Sequence, residues 1–141
     1  MEESIRKAFE LKAVSPVTLP SLSLAYLGDA VYELVIRHVL LEGKAAKSGA
    51  LYRLSLPYVS AVGQARMAEG IRPLLTEEEE GVFRRGRNAK PEHSAKNASE
   101  KEYHLATGLE ALVGYLYLQG RFDRALELIK AGMPYAGKHE D

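Results

Sequence analysis

The sequence predicts an all-α fold of about seven helices, and three observations predict it. Apolar residues recur at three- and four-residue spacing through most of the chain. No segment alternates apolar and polar residues between hairpin turns, as half-buried strands do. Two capping boxes, Thr76-Glu77-Glu78-Glu79 and Ser99-Glu100-Lys101-Glu102, mark helix starts, each with acidic side chains at the positive helix end.

The elements follow in order. A first short helix is expected over Ser4 to Leu11, then a linker from Val14 to Pro20 punctuated by Pro16 and Pro20. Ser21 or Ser23 caps a long helix to about Leu41, its apolar residues Leu24, Leu27, Val31, Leu34, Val35 and Val39 at helical spacing, with Gly43 ending it. After a polar connector, Ala50 to Ser55 reads as helix until Pro57 interrupts it, and another short helix runs from about Val59 to Glu69. The first capping box starts a helix to about Arg85, and the second starts one to Leu118 with Gly120 as its stop. Asp123 caps a last helix to about Ala131.

The 141 residues fit a single domain, 1–141. Residues 1–19 form its N-terminal helix and linker, and 133–141 are expected to be a flexible tail. There is no cysteine, which removes disulfides and thiolate metal sites. The start of the chain is acidic and has no signal-peptide pattern. No apolar run reaches the ~18–20 residues that span a bilayer. A cytoplasmic protein with no membrane partner is the expectation. Nineteen Lys and Arg balance nineteen Asp and Glu, so any affinity for a polyanion must come from local charge.

Two carboxylates stand out. Asp29 lies inside Leu27-Gly28-Asp29-Ala30-Val31, where Asp competes for the backbone and Gly28 costs about 1 kcal/mol of helix propensity. Glu110 is the only charge between Leu105 and Leu118, with Gly108 and Gly114 near it. Glycines permit close approach of a second helix or a ligand. Carboxylates from two facing helices can hold Mg²⁺, a hard ion that takes oxygen ligands. The structural alternative is that Asp29 pairs with an arginine or caps a helix and Glu110 lies at the surface. Glu33 is one turn after Asp29 and shares its face.

Residues 84–98 read mostly as a basic loop. Arg84, Arg85, Arg87, Lys90 and Lys96 face one acid, Glu92, and Asn88 adds a further donor suited to phosphate oxygens. No aromatic residue is interleaved, so backbone contact to a duplex fits better than base stacking. His93 lies in this segment, and His38 and His104 lie on helices, where a structural role is expected. No HExxH, ExxH or HD pair, P-loop or GxGxxG motif occurs. Tyr26, Tyr32, Tyr103, Tyr115 and Tyr117 read as core and rim.

These residues carry a resemblance. Leu24-Ala25-Tyr26-Leu27-Gly28-Asp29-Ala30-Val31-Tyr32-Glu33 resembles the signature helix of the ribonuclease III catalytic domain, and Leu109 to Leu118 resembles that family's second metal-binding helix. The likeness covers about residues 20 to 132. It is strongest to the bacterial subgroup without a double-stranded-RNA-binding domain, whose basic loop Arg85-Gly86-Arg87-Asn88-Ala89-Lys90 resembles.

The resemblance implies a homodimer that cuts double-stranded RNA using Mg²⁺ held by Asp29 and Glu110 and leaves 5′-phosphate ends. It also implies maturation of large-subunit (23S) ribosomal RNA. Where the family has further acids, this chain has Leu22, Ala25, Thr107 and, in the middle of the domain, a position near Ser48. Asp29 and Glu110 are then the only matched acids, and one ion per site is the expectation, with Glu33 as a supporting or alternate ligand. The competing reading is a non-catalytic helical RNA-binding protein of the same fold.

Overall fold

The computed structural model describes residues 1–44, 47–89 and 99–137. It contains α1 (Glu2–Ala8), a 3₁₀ turn (Pro16–Thr18), α2 (Ser21–Lys44), α3 (Ser48–Val59), α4 (Ala61–Ile71), a second 3₁₀ turn (Arg72–Leu74), α5 (Glu77–Asn88), α6 (Glu100–Leu118) and α7 (Phe122–Ala136). No strand occurs among the described residues. None of the helices is long and apolar enough to cross a membrane.

Helix α6 is the centre. It is apolar on every side, and every residue from Leu105 to Tyr117 except Glu110 is buried. Such a helix is stable only when surrounded. Helices α2, α4, α5 and α7 pack around it. Leu24, Val31, Tyr32, Val35 and Ile36 of α2 and Ala65, Met67, Ala68 and Ile71 of α4 supply much of the core.

The close packing is set by glycine. A Cβ on Gly28 would lie 1.7 Å from the Glu110 carbonyl oxygen, and one on Gly114 would lie 2.1 Å from the Leu24 carbonyl oxygen. Helices α2 and α6 therefore touch backbone to backbone. A similar notch joins α5 to α6, where a Cβ on Gly86 would lie 2.7 Å from Ala111 Cβ and 3.1 Å from Gly108 Cα.

The capping boxes form as expected. Thr76 Oγ1 accepts from the Glu79 N–H at 3.2 Å while Glu79 accepts from the Thr76 N–H at 2.9 Å. Ser99 and Glu102 do the same at 3.1 and 2.9 Å. Gly120 follows α6 at φ +74°, the left-handed conformation that ends a helix. Arg6 of α1 donates to the Leu118 carbonyl at 2.8 Å, a cation on the unpaired carbonyls at the end of α6.

Several boundaries differ from expectation. Helix α1 spans Glu2–Ala8 rather than Ser4 to Leu11. Helix α2 runs through Gly43 to Lys44. Pro57 lies inside α3, in its last turn, so the bond it removes and the kink it imposes fall where the helix stops, at Val59, rather than in its middle. Helix α7 continues through Pro134 to Ala136, whose buried side chain joins the core, so the segment from 133 to 136 is helix rather than tail. Its N-cap is Arg121, and Asp123 sits in the first turn without capping.

The largest correction concerns the basic segment. The helix expected to end near Arg85 extends to Asn88, so Arg87 and Asn88 lie in α5 with Arg84 and Arg85 rather than in a loop. Arginine is a good helix former, and Arg85 and Arg87 in the last turn complement the helix dipole. The propensity cost of Gly86 is offset by its contact with α6. Lys90, His93 and Lys96 lie outside the described residues.

Candidate active site

Glu110 reaches its position through the notch between α2 and α6. Because Gly28 lets the helices touch at the Glu110 backbone, the next residue of α2, Asp29, comes beside the Glu110 side chain. The two carboxyls share a hydrogen bond. Asp29 is open to solvent, whereas Glu110 is largely covered. Burial first, then the hydrogen bond and like charge of Asp29, push the Glu110 carboxyl up to about 9, against an opposing hydrogen bond from Gln64.

No lysine or arginine among the described residues forms an ion pair with either carboxylate. The structural alternative, with Asp29 paired to an arginine and Glu110 at the surface, is not what the fold builds.

The remaining pieces surround this pair. Tyr32, one turn beyond Gly28, is fully buried and donates to the Tyr58 carbonyl at 2.6 Å. Burial and the nearby Glu110 raise its phenol above the usual range. The places of the absent family acids are otherwise occupied. Ala25 is core, and the buried Thr107 hydroxyl donates to the Tyr103 carbonyl of its own helix at 3.0 Å.

Glu33 does not join the pair. Arg37, one turn on, holds its carboxylate at 2.6 Å. Among the described residues no third acidic or histidine side chain completes a metal-binding group. His38 pairs with Glu42 on its own helix, and His104 lies edge-on to Tyr103 and 3.8 Å from Glu100.

Helix α5 crosses α6 beside this segment. Gly86 abuts Thr107, Gly108 and Ala111, so the turn bearing Arg84, Arg85 and Arg87 is anchored next to the stretch of α6 that carries Glu110. Phe83 and Gly86 point inward, and Arg84 and Arg85 are exposed. Tyr26 is not core or rim. It is 85% exposed, one turn before Asp29.

Sequence reasoning missed Gln64. It lies on α4 and is 3% exposed, and its side chain hydrogen-bonds Glu110. A signal was present, since Gly63-Gln64 repeats the glycine-then-polar pattern of Gly28-Asp29 in another apolar helix.

Two carboxyls close enough to share a proton, one of them largely shielded from water and without a basic partner among the described residues, suit a divalent cation. The donors are hard oxygens, and a cation removes the repulsion that otherwise keeps one of them protonated.

Comparison with known proteins identifies the family. The ribonuclease III domain model matches residues 22–121. Mini-ribonuclease 3 of Symbiobacterium thermophilum is 46% identical over 125 residues, covering 89% of this chain and 96% of that protein. Mini-ribonuclease 3 of Enterococcus faecalis is 46% identical over 113 residues, covering 79% and 86%. The crystal structure of a Fusobacterium nucleatum protein superposes with a TM-score of 0.73 at 30% identity, covering 80% of this chain and 90% of that one. With the family model spanning most of its length and such relatives on either side of it, the chain belongs to the ribonuclease III family, in its Mini-ribonuclease 3 group, and is an endoribonuclease.

Proposed function

We propose that this endoribonuclease hydrolyses double-stranded RNA with the help of Mg²⁺ held by Asp29 and Glu110. The observation that carries the proposal is the meeting of these two carboxyls across the α2–α6 notch, with no cation among the described residues paired to either. When bound, a divalent ion supplies charge neutralisation at a phosphoryl oxygen and an acidified water. The protein's own groups do the rest. Glu110, fixed between α2 and α4, sets the inner side of the site, and Asp29 sets its open side toward substrate. The exposed Arg84 and Arg85, with Arg87 on the same turn, offer donors to phosphates along the duplex. Hydrolysis leaves 5′-phosphate ends. Precursors of large-subunit ribosomal RNA are the substrate that the family likeness suggests.

A homodimer fits the surface. Leu22, Tyr26, Leu34 and Leu41 are exposed along α2, and Tyr52, Leu54 and Leu56 along α3. Exposed apolar side chains gathered on two neighbouring helices are surface that a partner can cover. A second copy would place a second carboxylate pair against the other RNA strand.

The test is cleavage of a duplex RNA at increasing Mg²⁺. Asp29→Asn is expected to lower kcat/KM about 10³-fold or more, since a bound ion supplies several kcal/mol of transition-state stabilisation, while far-UV circular dichroism stays unchanged. Full cleavage without divalent ions, or an active Asp29→Asn, overturns the proposal. Retention of RNA without cleavage at any Mg²⁺ concentration favours the non-catalytic reading.

A further inference from the structure

We infer that Gln64 is a positioning residue of this site: its buried amide, fixed on α4, orients the Glu110 carboxylate toward Asp29. The inference rests on the metal-site reading above and extends it to a third helix.

An amide buried without a partner is costly, so a glutamine that is 3% exposed among Ala65, Met67 and Ala68 needs a specific hydrogen bond. Glu110 provides that bond. The donor is held rigidly. Gly63, just before it, seats the helix start so closely that a Cβ there would lie 1.6 Å from the Pro57 carbonyl oxygen. Ser60 caps the same turn by accepting from the Gly63 N–H at 3.1 Å. Met67 and Ile71, farther along α4, lock against Gly132 of α7.

The chemistry of the side chain matters as much as its place. A lysine or arginine at this position would neutralise Glu110 and compete with a cation. A glutamate would add a third negative charge to a pair that already repels. A neutral amide donates one hydrogen bond to one carboxylate oxygen, fixes the rotamer, and leaves the other oxygen and the charge available. Groups that orient ligands in this way typically contribute about 10–100-fold to metal affinity or activity.

The experiment uses the full chain and Mn²⁺, whose free concentration is read by electron paramagnetic resonance. Gln64→Met keeps length and removes the donor. It is expected to weaken Mn²⁺ binding about 10–100-fold and to lower kcat on duplex RNA, with KM for RNA within about twofold of the parent. Gln64→Glu keeps shape and adds charge, and is expected to show a larger Mn²⁺-induced rise in Tm than the parent. Parent-like Mn²⁺ affinity and kcat in Gln64→Met overturn the inference. If Gln64→Met does not fold, an unchanged Mn²⁺-induced shift in Gln64→Glu overturns it instead. Asp29→Asn separates the two levels. If it loses Mn²⁺ while Gln64→Met keeps it, only the role of Gln64 falls. If Asp29→Asn also keeps Mn²⁺, the metal site falls and the inference with it.

Discussion

Asp29 and Glu110 are chemically alike, yet the fold places one in water and the other under two helices. The consequence is measurable without any substrate. In the metal-free protein the Glu110 carboxyl is raised to about 9, above the ordinary value of 4.5 it has in the unfolded chain. Between those values the folded state binds the extra proton, so stability falls as pH rises through the window. Glu110→Gln removes the titrating group and keeps the shape. It is expected to raise the metal-free Tm at pH 8 by a few degrees, roughly what 1 kcal/mol does in a domain of this size. Near pH 4, where both states are protonated, the difference should vanish. A thermal melt by circular dichroism at the two pH values checks it, and a lower Tm for Glu110→Gln at pH 8 counts against the burial of this group.

At the scale of elements, the site is a product of how α2 and α6 meet. Gly28 and Gly114 allow backbone contact, and Asp29 is beside Glu110 only because of that contact. Gly28→Ala puts a methyl 1.7 Å from a carbonyl oxygen, which no side-chain rotation relieves. The helices must separate. The expected cost is about 3 kcal/mol or more, at the upper end for an overpacked core, with a clear fall in Tm. Mn²⁺ affinity should fall with it, because separation moves the carboxylates apart. Parent-like stability in Gly28→Ala would refute the notch. The arginine-bearing turn of α5 obeys the same logic, since Gly86 seats it against α6 and the arginines are left outward by default.

Over the whole molecule, the outer helices are tied by charge as well as by apolar contact. Glu79 has no exposed surface and meets Arg124 of α7 through two 2.8 Å hydrogen bonds. Arg124→Met strips that buried carboxylate of both bonds and leaves it only Arg121 at 3.6 Å and the Thr76 N–H, at an expected cost of about 2–3 kcal/mol. The hydrogen bonds and charge of Arg124 hold the Glu79 carboxyl below its ordinary value. Its contribution is therefore present above the unfolded value and lost as pH falls through the lower folded one. Chemical denaturation at pH 7 measures the first effect, and the loss of the parent–variant difference in acid measures the second. Assembly belongs to this scale too. Tyr26→Glu places a charge in the exposed apolar stripe of α2, and sedimentation velocity should show a monomer where the parent sediments as a dimer. A parent that is monomeric at all concentrations removes the dimer.

What the sequence determined alone were features whose causes are local. Thr76 with Glu79 and Ser99 with Glu102 satisfy backbone groups three residues away, so their residue types suffice to mark the helix starts. Gly120 ends α6 for the same reason. Asp29 and Glu110 were legible as anomalies, because a carboxylate beside a glycine in an apolar helix conflicts with local preference. Other decisions needed partners far along the chain. The capping-box residue Glu79 became a buried ion-pair partner only because packing brought Arg124 to it from 45 residues away. The basic turn read as loop stayed helical because α6 received Gly86. Above all, the sequence could not say that Asp29 and Glu110 meet, or that Gln64 joins them. Local spacing fixes which face a side chain occupies, whereas the neighbour across that face depends on how closely the helices approach, and between α2 and α6 the Gly28 and Gly114 contacts set that distance.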